Sequence, residues 1–152
     1  MLYNDGKPEE TRAQATEKRG RLITLEGIDG TGKSTQVANL VSAIRSRGIT
    51  VLELREPGGT AIGEAIRQIL LDKRNIGLCD ESELLLFIAA RAQLVREIIL
   101  PALVSGSWVV CDRFTDSTLA YQGYGRGADL EMIRRINDLA VNGCRPDKTI
   151  LL

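Results

Sequence analysis

Histidine is absent from this 152-residue chain. That removes imidazole acid–base catalysis and histidine-ligated zinc in one step. Cysteine is scarce: Cys79, Cys111 and Cys144 lie far apart, are odd in number and form no C-x-x-C pair. Neither a disulfide framework nor a thiolate metal knuckle is expected, and reduced thiols of a cytoplasmic protein are the reading. Excess charge of one sign is also missing, since Lys+Arg and Asp+Glu both number 20. That argues against bulk nucleic-acid or membrane-surface binding but leaves room for a local basic pocket. No apolar run reaches membrane-spanning length, the N-terminus has no apolar signal core, and there is no internal repeat or low-complexity tract. What is present is 43% hydrophobic residues, enough for one compact domain with a sizeable core.

Met1 to Gly20 is polar and charged, contains Pro8 and has no sustained periodicity, so it reads as a flexible extension. The domain proper is expected from Arg21 to Leu152. Near its start, Glu26-Gly27-Ile28-Asp29-Gly30-Thr31-Gly32-Lys33-Ser34-Thr35 satisfies the P-loop pattern G-x-x-x-x-G-K-[ST]. Such a loop points backbone N–H groups at nucleotide phosphates, and the helix that follows adds partial positive charge. Lys33 supplies a point charge to the β/γ-phosphates, and the Ser34 hydroxyl is placed to ligate Mg²⁺. A Gly-rich turn that binds nothing has no need of Lys33-Ser34.

The rest of the chain alternates strand and helix. Arg21–Glu26 reads as a strand and Ser34–Arg47 as a helix closed by Gly48. Strand Thr50–Arg55, the turn Glu56-Pro57-Gly58-Gly59 and helix Thr60–Leu71 follow, then a loop to Cys79. Asp80 and Glu83 stand at capping-box spacing and open a long helix to about Leu100, which Pro101 is expected to bend or interrupt. Ser107–Cys111 reads as a buried strand, Asp116–Gln122 as a short helix and Gly123–Gly127 as a loop. Asp129 caps a helix to about Val141, stopped by Gly143, and Lys148–Leu152 begins a further strand. This order predicts an α/β fold: a parallel sheet with helices on both faces, right-handed crossovers and ligands at the carboxyl ends of the strands.

Two further places carry chemistry. Asp112-Arg113 directly follows a strand, at the edge where the P-loop opens. A carboxylate there can hold Mg²⁺, and a guanidinium can neutralise charge that moves during phosphoryl transfer. Alone, the pair reads better as a surface ion pair at a strand end, since such dipeptides are common; beside the P-loop the functional reading leads. Phe87 and Arg91 are spaced i, i+4, so they share one helix face, an aromatic to stack on a base and a fork for a phosphate. Phe87 also sits in the core-like run Leu84–Ile88, whereas Arg91 follows Ala89-Ala90 on a helix that reads as largely buried.

These motifs join Arg55-Glu56-Pro57-Gly58-Gly59-Thr60, Leu86-Phe87-Ile88-Ala89-Ala90-Arg91-Ala92-Gln93, Asp112-Arg113-Phe114, Ser117-Thr118-Leu119-Ala120-Tyr121-Gln122-Gly123 and Arg145-Pro146-Asp147. Their order, from about Arg21 to the last residue, resembles the bacterial type of the thymidylate kinase family. The resemblance implies a three-layer P-loop NTPase-type fold and the reaction ATP + dTMP → ADP + dTDP with Mg²⁺. It implies that Gly27, Ile28, Asp29, Gly30, Thr31, Gly32, Lys33, Ser34 and Thr35 cradle the ATP phosphates. Lys33, Arg113 and Asp29 then act at the transferring group, with Ser34 and Asp112 as metal ligands. Asp29 would face the dTMP sugar and phosphate, Phe87 would stack on thymine, and Arg91 and Arg113 would bind the acceptor phosphate, with Arg67 as a further contact. Thr118 and Gln122 would read the base edge, Tyr121 would line the sugar with no room for a 2′-hydroxyl, and Glu56 would lie near the metal and acceptor phosphate. Implied partners are ATP and dTMP, with no nucleic acid or membrane, and a homodimer formed by helices such as Asp80–Leu100.

The absence of histidine is no obstacle to such a reaction. The acceptor is already a phosphate anion, so positioning and charge neutralisation matter more than a strong base. The pattern departs from the family at Leu152, in what resembles the fourth strand, where the family continues into a mobile lid, a fifth strand and closing helices. Ile28-Asp29-Gly30-Thr31 contains no arginine, and family members of that kind use lid arginines at the transferring phosphate. An incomplete donor site and an apolar sheet edge are therefore expected. Another nucleoside-monophosphate or deoxynucleoside kinase on the same scaffold, and a non-catalytic nucleotide-binding fragment, are the alternatives.

Overall fold

The computed structural model describes residues 19–152. The expected N-terminal extension lies outside the described residues up to Arg19, and Gly20 is already docked: it is buried and donates its N–H to Leu103 O at 2.9 Å.

Four strands and six helices make up the described fold: β1 (Leu22–Glu26), α1 (Lys33–Arg45), β2 (Val51–Arg55), α2 (Ala61–Leu71), α3 (Asp80–Leu94), α4 (Leu100–Val104), β3 (Trp108–Asp112), α5 (Thr115–Thr118), α6 (Leu130–Val141) and β4 (Lys148–Leu151). Two π-helical stretches join them, Val95–Ile99 between α3 and α4 and Leu119–Gly125 after α5. All strands are parallel, in the order β2-β3-β1-β4. Register brings Leu25 and Arg55 opposite Asp112, and Glu26 opposite Leu151. One sheet edge therefore carries the ends of β1, β2 and β3. Strand order diverges on the two sides of β1, which opens a crevice at the carboxyl ends.

The period-two alternation of β3 explains the three layers. Val110 faces α1 with Leu25, Val37, Val41, Ile44 and Val51. Val109 and Cys111 face the other way, onto Leu94, Val95, Ile99, Leu103 and Phe114. Each such side chain, fully buried, contributes about 1.5–3 kcal/mol. Leu84, Ile88, Ile133 and Ala140 pack α3 against α6 outside the second layer.

Three local expectations change. The helix at Pro101 is not interrupted: it runs to Val104 through the widened turn Val95–Ile99, where Leu100 N–H reaches back five residues to Val95 O. Proline lacks an N–H and its ring crowds the carbonyl four residues before it, and a π turn accommodates both. Helix α3 does open at Asp80, but without the capping box: Cys79 is the N-cap residue and makes no side-chain capping bond. Glu83 is drawn away to partners on another segment, while Asp80, Glu81 and Glu83 still place negative charge in the first turn. The glycines at 123 and 125 are not loop but part of the π-helical stretch Leu119–Gly125. The cap at Asp129 is as expected, its Oδ1 accepting from Met132 N–H at 2.7 Å.

Candidate functional site

A cleft of about 1040 Å³ opens at the carboxyl ends of β1, β2 and β3. Of the residues singled out from sequence, all but Gly27, Ile28 and Thr31 line it.

The P-loop forms its floor. Gly27, Gly30 and Gly32 have φ of 143°, 86° and 86°, a region L side chains rarely adopt. The loop closes on itself through the Ile28 carbonyl, which accepts from Lys33 Nζ at 2.7 Å and from Thr31 Oγ1 at 3.0 Å. Ile28 and Thr31 thus shape the loop from outside the cleft. Gly32 is the N-cap of α1 and offers no side-chain cap, so the first-turn N–H groups face the cleft end of the helix without a side-chain acceptor.

Arg113 stands where β3 ends, and its backbone is in the left-handed region at φ 70°. Its Nη1 donates to Gly27 O at 2.7 Å and its Nη2 to Asp29 Oδ1 at 2.5 Å. The guanidinium lies over the Tyr121 ring, 5.3 Å from its centroid. Glu26 holds the turn in place, accepting from Phe114 N–H at 2.8 Å and from the Ser117 hydroxyl. Burial pushes the Glu26 carboxyl above its ordinary range, against the pull of those two bonds.

Arg91 is 2% exposed and each nitrogen of its guanidinium donates a hydrogen bond. Nε donates to Glu56 Oε2 at 2.8 Å, Nη1 to Thr118 Oγ1 at 2.9 Å and Asn137 Oδ1 at 2.5 Å, and Nη2 to Phe114 O at 2.9 Å. Nη2 also lies 2.6 Å from Glu56 Oε2. A fork from Arg91 to a phosphate requires it to exchange one of these partners. Burial raises the Glu56 carboxyl, with Arg91 pulling the other way.

Arg67 donates to Pro57 O at 2.9 Å, which ties α2 to the loop after β2. Half-buried Phe87 lines the same cleft as Gln122 and Glu83, with Gln122 Nε2 donating to Glu83 Oε1 at 2.8 Å.

For a hard cation the cleft offers oxygen donors. Asp112 Oδ1 and Glu56 Oε1 are buried atoms without a hydrogen-bond partner among the described residues, and Ser34 lines the same cleft. Orphaned carboxylate oxygens in the same cleft as a P-loop serine fit Mg²⁺, which takes few protein ligands and keeps its waters. No group of three or more His, Cys, Asp or Glu side chains among the described residues forms an all-protein cage.

Sequence reasoning missed Glu26, Glu83 and Asn137. Asn137 carried a signal, since Ile133, Asn137, Ala140 and Val141 share the buried stripe of α6 at helical spacing. A polar residue on such a stripe needs a partner, and Arg91 is that partner.

The family model described as thymidylate kinase matches residues 25–152. Thymidylate kinase of Solidesulfovibrio magneticus is 51% identical over 131 residues, covering 86% of this chain and 63% of that protein. The same enzyme of Pelodictyon phaeoclathratiforme is 56% identical over 86% of this chain and 60% of its own length. The chain thus spans less than two thirds of these curated relatives. The crystal structure of thymidylate kinase from Ehrlichia chaffeensis superposes with a TM-score of 0.81 at 44% identity, covering 88% of this chain and 74% of that one.

Proposed function

The chain belongs to the thymidylate kinase family, and from that premise we propose that it carries the acceptor half of an enzyme that transfers the γ-phosphate of ATP to dTMP. The observation that carries this reading is one cleft lined together by a P-loop, the aromatic Phe87, the amide of Gln122 and several arginines.

Phosphoryl transfer asks the protein to position two anions and offset their repulsion. The P-loop N–H groups and Lys33 take the donor phosphates, while Arg113, held by Gly27 O and Asp29, meets the acceptor phosphate. Arg67 adds charge from α2, and Arg91 adds charge at the phosphate end while fixing Glu56 and Thr118. Phe87 stacks on thymine, Thr118 and Gln122 read its edge, and Tyr121 packs where a 2′-hydroxyl would project. Ser34 and Asp112 would hold Mg²⁺, with Glu56 beside them. A cation held by these residues would supply charge to offset that of the phosphoryl oxygens.

No helix among the described residues is long and apolar enough to cross a membrane. The reading places the enzyme in the cytoplasm with its nucleotide substrates, free of nucleic acid. It pairs copies through helices such as α3, where Leu85 is an exposed apolar side chain.

The test is ADP release from MgATP with dTMP, dCMP and dGMP as acceptors, alongside calorimetric binding of each. Binding and turnover that follow dTMP support the reading. A folded chain that does not bind dTMP, or that accepts dGMP equally, overturns it.

A further inference from the structure

Gln122 is 5% exposed and lines the cleft beside Phe87. A carboxamide has two chemically opposite faces, an NH₂ that donates and an oxygen that accepts, and nothing intrinsic decides which one meets a ligand. Here a neighbour decides it. Glu83, on the first turn of α3, places Oε1 2.8 Å from Gln122 Nε2. A carboxylate only accepts, so the NH₂ must turn toward Glu83. The Gln122 oxygen is left as the free face, and no side-chain donor among the described residues reaches it.

Glu83 is itself held from the far side. Its Oε2 accepts from Arg126 Nη2 at 2.9 Å, and Arg126 Nη1 lies 3.4 Å from Asp80 Oδ1. The Gln122 backbone is pinned as well, its carbonyl accepting from Ala128 N–H at 3.1 Å. Rotating the amide would set the Gln122 oxygen against a carboxylate oxygen, two acceptors with no proton between them.

We infer that Glu83 is a positioning residue for base selectivity, locking the Gln122 amide with its oxygen toward the base. The site then selects a base bearing a ring imide N–H, as thymine and uracil do, over cytosine, whose N3 presents a lone pair. This inference rests on the nucleotide reading of the cleft above. A pocket that presents an acceptor to a ring N–H penalises a ligand that brings a second acceptor there, because both groups are left unpaired.

The test is calorimetric titration of the wild-type chain and Glu83→Gln with dTMP, dUMP and dCMP. A glutamine at 83 can donate or accept, so the Gln122 amide is free to turn over. Wild type is expected to prefer dTMP and dUMP to dCMP. In Glu83→Gln that preference falls about tenfold, the order of one hydrogen bond's net contribution. A merely structural role for Glu83 would weaken all three ligands alike, and an unchanged ratio overturns the inference. The Gln122 NH₂ signals, identified in NMR spectra by their loss in Gln122→Leu, give a second readout on the wild-type chain. They are expected to be shifted and slow to exchange, and rapid exchange with solvent overturns the inference even if the variant does not fold. A folded wild-type chain that binds none of the three ligands overturns the nucleotide reading instead.

Discussion

At the scale of single residues, Arg91 is where the site is assembled. Its partners lie 35, 27 and 46 positions away, at Glu56, Thr118 and Asn137. That separation explains what the sequence could show. An arginine between alanines on an apolar helix was legible as special, but its acceptors were not, because only the fold brings them together. Arg91→Ala leaves Glu56 as a buried charge without its counter-ion, and it is expected to lower the unfolding free energy by about 3–5 kcal/mol. Arg91→Lys should recover little, since an ammonium cannot match a planar fork to four acceptors. Urea unfolding measures both, and a loss under about 1 kcal/mol for Arg91→Ala would show the network to be structurally idle. Glu26 makes a different prediction. Its folded carboxyl is raised above the ordinary 4.5 by burial, so the native state holds that proton more tightly than the unfolded chain. The associated stability is full below the unfolded value and is lost as pH rises through the folded one. Glu26→Gln does not titrate, so its stability relative to wild type should climb over that window and then level off. Unfolding curves of both proteins from about pH 4 to pH 8 would refute this if the difference stayed flat.

At the scale of elements, periodicity and punctuation were enough to locate the strands and most helices, because each repeats a local pattern. They failed where a side chain answers to a distant segment. Glu83 had the spacing of a capping partner but is taken by Gln122 and Arg126. The turn after β2 shows how much an element end can carry. Thr60 caps α2 by accepting from Gly63 N–H at 2.9 Å, and Glu64 accepts from Gly59 N–H at 2.8 Å and from Arg55. A Cβ on Gly63 would meet Gly58 O at 2.8 Å and Thr60 Oγ1 at 2.9 Å. Both contacts are too close, and the first is with backbone, so Gly63→Ala must push the turn away from the helix. Thr60→Ala removes only the cap and should cost about 1 kcal/mol. Gly63→Ala should cost more, and it should also weaken dTMP binding, because Glu56 and Arg67 stand on either side of the displaced turn. Thermal unfolding with a dTMP titration separates the two variants, and equal behaviour would mean that the turn does not position the site.

At the scale of the whole molecule, strand–helix alternation announced a parallel sheet, yet alternation alone does not order strands. The order β2-β3-β1-β4 agrees with burial, because β1 and β3 are both buried on their two faces and take the interior places. That order sets Asp112 between the ends of β1 and β2 and gathers the cleft from β1, β2, β3 and the helices after them. By contrast β4 pairs with β1 alone among the described residues, and all four of its residues are exposed. A ligand in the cleft therefore touches segments that the chain connects only through the core, and it should stabilise them together rather than one loop at a time. At about 100 times its Kd, dTMP is expected to add about 2.7 kcal/mol to the folded state. For a chain of this size that raises Tm by roughly 5–10 °C in one cooperative transition. Inorganic phosphate, which brings charge but no base for Phe87 or Gln122 to meet, should raise it far less at equal concentration. Equal shifts for dTMP and phosphate would mean that the cleft recognises charge alone. Then Phe87, Thr118 and Gln122 would have to be reassigned to the packing of the helices that carry them.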